Sequence, residues 1–293
     1  MSNQSLHVSI SAEPIFRIFG LEISNSIFTS LIVSFLLIVF AIFFRSKFKN
    51  TDKPSSLQNF VEMIVEALYN FVYSITENTK KTLLFFPVIS TFFIFIILNN
   101  YIGLLPGVGS ILTKEAEAQT EITQVASDQE ILEAVAEEEE IVESAVHGEP
   151  IHAKMVPVFR AATADLNTTL ALAIVSVMLT QIFGISHLGF SYFKKFIDFS
   201  NPVNFFVGIL ETVLEFAKIV SFAFRLFGNI FAGEVLLVVM TYLISIAVPA
   251  PFYALELFVG FIQALVFSML SLIFFNLATK SHHEEDHAVA ESK

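Results

Sequence analysis

Arg225 sits among Phe222, Phe224, Leu226 and Phe227, in a stretch that is otherwise largely apolar from Asn204 to Val248. A guanidinium stays protonated at any physiological pH. At the centre of an apolar helix it costs about 2.5–3.5 kcal/mol on insertion scales, so its presence there asks for a function. No acid lies three or four residues away to neutralise it. The chemistry open to such a group is electrostatic. It can attract an anion.

Other ionisable residues share the stretch: Glu211, Glu215, Lys218 and Glu234, with Glu256 and Gln263 in the next apolar run. Glu211, Lys218 and Arg225 recur every seven residues, so they share one helix face with a drift of about 20° per heptad. Ser221 and Asn229 flank Arg225 one turn to either side, and Glu234, nine residues beyond, turns to the opposite side. Polar groups thus continue along the helix but change face at Arg225. That pattern suits two polar pathways meeting near one fixed charge. A purely structural alternative is a set of buried ion pairs, such as Glu211 with Lys218. It is an open choice for Glu215 and Lys218, but it does not account for Arg225.

These residues need a membrane to hold them. Of 293 residues, 55% are hydrophobic and 34 are Phe. Mean hydropathy is +0.71, the composition of a polytopic membrane protein. Cysteine is absent, which excludes disulfides, thiolate metal sites and cysteine nucleophiles. The net charge of −12 belongs to one segment: residues 115–149 hold twelve acids and no Lys or Arg, and the remainder balances 16 acids with 16 bases. No basic patch suggests nucleic acid. No P-loop-type nucleotide-binding loop is present, and we expect no cofactor. His282, His283, Asp286 and His287 are metal-ligating types, but a polar tail is the simpler reading and no metal site is assigned.

The hydropathy pattern predicts an all-α polytopic membrane protein. About five crossings are joined by an amphipathic surface helix, and two long, strongly tilted C-terminal helices form an antiparallel hairpin. The segments are an outer N-terminal stretch (1–26), a first span (27–44), a basic loop with the surface helix (45–82) and a second span (83–107). An acidic outer insert (108–160), a third span with the ion-translocating hairpin (161–279) and a polar inner tail (280–293) follow. Residues 1–25 do not resemble a secretory signal. Arg45, Lys47, Lys49 and Lys53 follow the first span, Lys80 and Lys81 precede the second, and Lys194 and Lys195 follow the third. The positive-inside rule then places the N-terminus outside and the C-terminus in the cytoplasm. Over 55–78, Leu57, Phe60, Val61, Ile64, Leu68, Phe71, Val72 and Ile75 fall at helical spacing, with a capping box from Ser55 and Gln58. This helix either lies on the inner membrane surface or packs on the protein's own core. Residues 121–146 have the pattern of an amphipathic helix stopped by Gly148 and Pro150. The 204–248 stretch would run about 67 Å as one helix against a core of about 30 Å, so it either breaks or lies far flatter than usual.

Ser221-Phe-Ala-Phe-Arg225-Leu-Phe-Gly228-Asn229-Ile230, followed by Phe-Ala-Gly233-Glu234, resembles the signature of the subunit a family of F-type ATP synthases. Asn99 and Asn100 with Gly103-Leu-Leu-Pro106-Gly107 resemble its second-span ending, and Thr163-Ala-Asp165-Leu-Asn167 its third-span entry. Glu256 and Gln263-Ala-Leu-Val-Phe resemble its last helix; residues 112–158 depart from the common pattern. Family members vary between Glu and His at two positions that here are Glu234 and Glu256. The resemblance implies a stator subunit, not itself an enzyme, in a bacterial plasma (inner) membrane. Its implied partners are the c-ring subunits, peripheral stalk subunit b and membrane lipids; the expected ion is a proton, and the sequence itself does not decide between proton and sodium ion. Arg225 would attract a ring carboxylate. Asn229, Glu234, Glu256 and Gln263 would serve an outer half-channel, and Glu211, Lys218 and Ser221 an inner one. Asn99, Asn100, Asp165, Asn167 and Glu215 are further candidates for lining these paths. A stand-alone secondary transporter is the rival, but no internal repeat is visible. A passive scaffold would leave Arg225 unexplained.

An antiparallel hairpin adds a register. One alignment levels Arg225 with Gln263, Gly228 with Gly260 and Glu234 with Glu256. The glycines would allow close approach. The two carboxyl groups would share a low-dielectric site, resist ionising together and relay a proton directly. The centre of this register falls about five residues, or about 8 Å of helix, before the turn marked by Pro249 and Pro251. The acidic segment carries all the net charge and lies beyond the family pattern. Deleting residues 115–149 should therefore leave an assembled complex that still pumps protons. Loss of pumping in membranes that contain the assembled deletion variant would refute this.

Overall fold

The computed structural model describes residues 12–18, 21–47, 55–105, 108, 111–114, 155–196, 201–243 and 249–280. The acidic segment with its helix over 121–146, the Pro106-Gly107 ending and the histidine tail lie outside these residues. Six helices dominate: α1 (Asn25–Lys47), α2 (Ser56–Thr76), α3 (Thr79–Gly103), α4 (Leu166–Leu188), α5 (Pro202–Leu243) and α6 (Pro249–Ala278). All except α2 are long and apolar enough to cross a membrane. The chain is thus the helical polytopic membrane protein its hydropathy predicts.

Two small antiparallel strand pairs were not expected: β1 (Pro14–Ile18) with β2 (Leu21–Ser24), and β3 (Leu112–Lys114) with β4 (Met155–Pro157). Their strands are three to five residues long, too short to stand out in a hydropathy pattern. Asn25, at the start of α1, joins them. Its backbone N–H donates to the Glu13 carbonyl at 3.0 Å and its side chain to the Pro157 carbonyl at 3.3 Å.

Helix boundaries follow local chemistry. Ser55 Oγ accepts the Gln58 N–H at 3.3 Å, the capping interaction its sequence suggests. At the other end Glu77, with φ 47°, donates its N–H to the Tyr73 carbonyl in a left-handed cap. The apolar stripe of α2 divides. Val72 is buried and packs with Phe71 and Ile75 on the core, while Leu57, Phe60, Met63, Ile64 and Val65 are exposed. The second half therefore packs on the protein's own core, and the first half leaves its apolar residues uncovered within the described chain.

Within the described residues the long apolar stretch forms one unbroken α5 of 42 residues, about 63 Å at the usual rise, and 244–248 lie outside them. Of the two expectations, a break or a flat path, the unbroken helix leaves the flat path. α6 runs antiparallel to it: Phe222 meets Phe267 with centroids 5.0 Å apart, and Asn229 meets Gln263. α3 packs on α6, and α4 on both α5 and α6. Hydrocarbon is as apolar as these side chains, so association depends on fit and on hydrogen bonds between helices. Phe85, Phe183 and Phe275 supply fit as a closed triangle, with centroids 5.0 to 5.7 Å apart and rings strongly inclined to one another. Ser176 and Ser271 supply a hydrogen bond of 2.7 Å between α4 and α6.

Close approaches depend on small residues. A Cβ on Gly103 would press onto Ala161, 3.0 Å from its Cα and 3.1 Å from its nitrogen. Backbone there has nowhere simple to move. Gly103→Ala should destabilise the subunit by about 1–3 kcal/mol, the usual cost of overpacking. Thermal unfolding of the purified complex, followed through this subunit, measures it; an unchanged midpoint would show that the end of α3 can shift freely.

Candidate functional site

α5 has two faces of opposite character. Phe222, Ala223, Leu226, Ile230, Gly233 and Leu237 are buried against the bundle. Ser221, Phe224, Arg225 and Asn229 are exposed on the other side. Arg225 Nη2 donates to Ser221 Oγ at 3.3 Å, one turn back on the same helix. Among the described residues it forms no ion pair. A cation on the open face of an apolar helix, held by one neutral hydroxyl, is suited to meet an anion from outside the subunit.

Toward the start of α5 the ionisable groups neutralise one another. Lys195 Nζ lies 2.6 Å from Glu211 and 3.9 Å from Glu215, and Lys218 Nζ lies 2.7 Å from Glu215. Lys218 also stands over the Phe274 ring, 4.6 Å from its centroid. The pair Glu211 with Lys218, considered from spacing alone, is replaced by Lys195, which arrives on the 3₁₀ turn Gly189–Lys195. Spacing within α5 could not reveal a partner from another element. Lys195 read from sequence only as a topological marker. Tyr192, on the same turn, donates to Gln181 Oε1 at 2.8 Å and stacks its ring against Gly184.

Beyond Arg225 a second polar group spans four elements. Asn229 Nδ2 donates to Gln263 Oε1 at 2.7 Å, joining α5 to α6. Glu256 is buried, with its carboxyl directly over Gly233. Glu234 binds Arg160 at 3.1 Å. On α3, Asn100 donates to the Gly260 carbonyl at 3.0 Å and accepts from Thr163 Oγ1, while Asn99 donates to Phe95 O at 2.8 Å. Asp165 caps α4 by accepting the Asn167 N–H at 3.0 Å, and the Asn167 side chain is exposed.

Four buried atoms here have no hydrogen-bond partner among the described residues: Asn99 Oδ1, Asp165 Oδ2, Glu256 Oε1 and Gln263 Nε2. Near the other group, Glu215 Oε2 and Gln181 Nε2 are in the same position. Buried polar atoms are rarely left without a partner, so both regions suit water or an ion in transit. Two parts of the expected register need correction. Gly260 faces Asn100 and Tyr101 of α3, while a Cβ on Gly228 would meet nothing within 4 Å, so these glycines do not face each other. Gln263 is level with Asn229, one turn beyond Arg225. The glycine that does bring the hairpin together is Gly233.

A helical membrane protein with an exposed arginine that forms no ion pair among the described residues, set between two polar clusters, has the features of an ion-translocating subunit. The family described as ATP synthase A chain matches residues 27–276. The chain is 30% identical over 234 residues to ATP synthase subunit a of Geobacter sp. strain M21, covering 78% of this chain and 77% of the relative. Its likeness to ATP synthase subunit a of Geotalea daltonii is 29% over 259 residues, 87% of each chain. That of Syntrophobacter fumaroxidans is 28% identical over 234 residues, 78% of this chain and 74% of the relative. The chain belongs to the ATP synthase A chain family, the proton-translocating stator subunit of F-type ATP synthase. This disfavours the stand-alone transporter.

Gly233→Ala should separate stability from function. The atoms nearest to the added methyl are those of the Glu256 carboxyl, the far end of a rotatable side chain and not backbone, so the complex should assemble. The displaced carboxyl should slow ATP-driven proton pumping about tenfold, as misplacement near a transfer site commonly does. Pumping at the wild-type rate per assembled complex would show that the position of Glu256 is unimportant.

Proposed function

We propose that Arg225 is the fixed charge against which a ring of c subunits turns, and that the two polar groups are separate half-channels. The observation that carries this reading is an arginine exposed on the open face of α5 that forms no ion pair among the described residues. A ring carboxylate, ionised as it passes, would be drawn to the guanidinium. Once protonated it can enter lipid; ionised it cannot.

In this scheme Asn229, Glu234, Glu256 and Gln263 serve the outer half-channel, with Asn99, Asn100, Asp165 and Asn167 along its lining. Glu211, Ser221 and Lys218, with Glu215 beside them, serve the inner one. Loading from outside and release inside would make rotation directional, each proton contributing about 2.3 kcal/mol per 100 mV of potential. Arg225 would block direct passage between the two. The subunit itself performs no ATP chemistry, which belongs to partner chains. Subunit b and lipid would cover the exposed apolar residues of α1 and α2, among them Phe35, Phe40, Leu57 and Phe60. The positive-inside pattern supports an outer N-terminus and a cytoplasmic C-terminus in a bacterial plasma membrane. The acidic segment 115–149 would then face outward and raise the local cation concentration, an effect salt screens over about 8–10 Å.

Arg225→Ala should assemble, because its side chain supports no described contact beyond Ser221. It should abolish proton-driven ATP synthesis. Synthesis by inverted membrane vesicles carrying the variant decides the matter, and a wild-type rate would exclude the proposed role.

A further inference from the structure

Glu234 has a partner that spacing along α5 cannot reveal. Arg160 is only 6% exposed, and its Nε lies 3.1 Å from Glu234 Oε2. The arginine comes from the segment between β4 and the 3₁₀ turn Ala162–Ala164. That segment is anchored: the Arg160 N–H donates to Thr29 Oγ1 of α1 at 3.3 Å, and the Val158 N–H to the Ile111 carbonyl at 2.8 Å. The guanidinium also lies 5.9 Å from the Phe231 ring centroid. Two other acids are close by. The buried Glu13 is within electrostatic reach of Glu234, and Glu256 packs over Gly233, the residue before Glu234.

The two carboxyl groups of the hairpin are therefore unequal. Glu234 is tied to a buried cation on a braced segment. Glu256 Oε1 is buried with no hydrogen-bond partner among the described residues. We infer that Arg160 is a positioning residue of the outer half-channel, fixing the Glu234 carboxylate and leaving Glu256 as the group that exchanges the proton. This rests on the half-channel reading above, and it replaces a direct relay between two equivalent acids. The exchange has two steps. A hydronium ion gives its proton to the Glu256 carboxylate, leaving water and a neutral carboxylic acid. That acid then passes the proton to an ionised ring carboxylate and returns to its anionic form. No electrons are gained or lost, and Arg160 keeps its proton throughout.

Removing one member of a buried ion pair leaves the other uncompensated, whereas removing both need not. The test is ATP-driven pumping and passive proton flux in vesicles containing the whole complex, normalised to assembled complex. Arg160→Gln should lower flux about tenfold, equivalent to 1.36 kcal/mol of added barrier. Arg160→Lys, which keeps the charge, should retain a third or more. Arg160→Gln with Glu234→Gln should recover the rate of Glu234→Gln alone, and Glu256→Gln should be slower than Glu234→Gln. If Arg160→Gln fails to assemble, recovery of assembly and flux in the double variant supports the inference, and its failure overturns it. Wild-type flux in Arg160→Gln, a double variant no faster than Arg160→Gln, or equal loss in the two Gln variants would also overturn it. Absence of proton flux in the wild-type complex would instead refute the proposed function.

Discussion

A full charge in hydrocarbon must be neutralised, hydrated or aimed at something that will neutralise it, and that constraint organises this protein. Arg225 is given no ion-pair partner among the described residues, while the helix bearing it is buried on one face and open on the other. The open face is needed because the partner is outside the subunit. The buried face is needed because an arginine on a loosely held helix would move to the nearest water instead. The Phe222–Phe267 contact and the Asn229–Gln263 hydrogen bond, on either side of Arg225, hold α5 against α6 and so hold the guanidinium outward.

The cations packed inside the bundle follow the opposite rule. Lys195, Lys218 and Arg160 each meet a carboxylate within the chain, so these groups are neutralised in place. The contrast between paired and unpaired charge sets Arg225 apart from the other cations more sharply than charge alone. It also separates acids: Glu211, Glu215 and Glu234 each meet a cation, whereas Glu256 meets none among the described residues. Anchoring explains the two antiparallel strand pairs. They are too small to be stable alone, but they brace the segment that delivers Arg160.

Hydropathy alone made the five long helices legible, because a spanning helix must be apolar throughout whatever it packs against. The Ser55 cap was legible because it is local. Arg225 stood out because nothing at helical spacing neutralised it. Arg160 and Lys195 were missed for the complementary reason. Their partners lie 74 and 16 residues away in sequence, and periodicity reports a residue's face, not what a distant segment brings to that face. The glycine register failed in the same way. Gly228 and Gly260 align by number along the hairpin, but α3 inserts Asn100 against Gly260 and takes that side of the helix. Two-helix reasoning cannot foresee a third helix.

The unbroken course of α5 carries both polar groups on one helix. Glu211 and Glu234 are 23 residues apart, about 34 Å along a helix axis, more than the hydrocarbon thickness of about 30 Å. An upright helix would place them at or beyond opposite surfaces of the membrane, where neither would need burial. The structure buries Glu215 and leaves Glu234 only partly accessible, so both groups lie within protein. A flat path reconciles these facts by reducing the depth that each residue of α5 traverses. The same path sets the two groups apart laterally as well as in depth, with Arg225 between them. A carrier moving sideways past α5 would then meet one group, the arginine and the other group in turn, whereas an upright helix would present all three at a single lateral position.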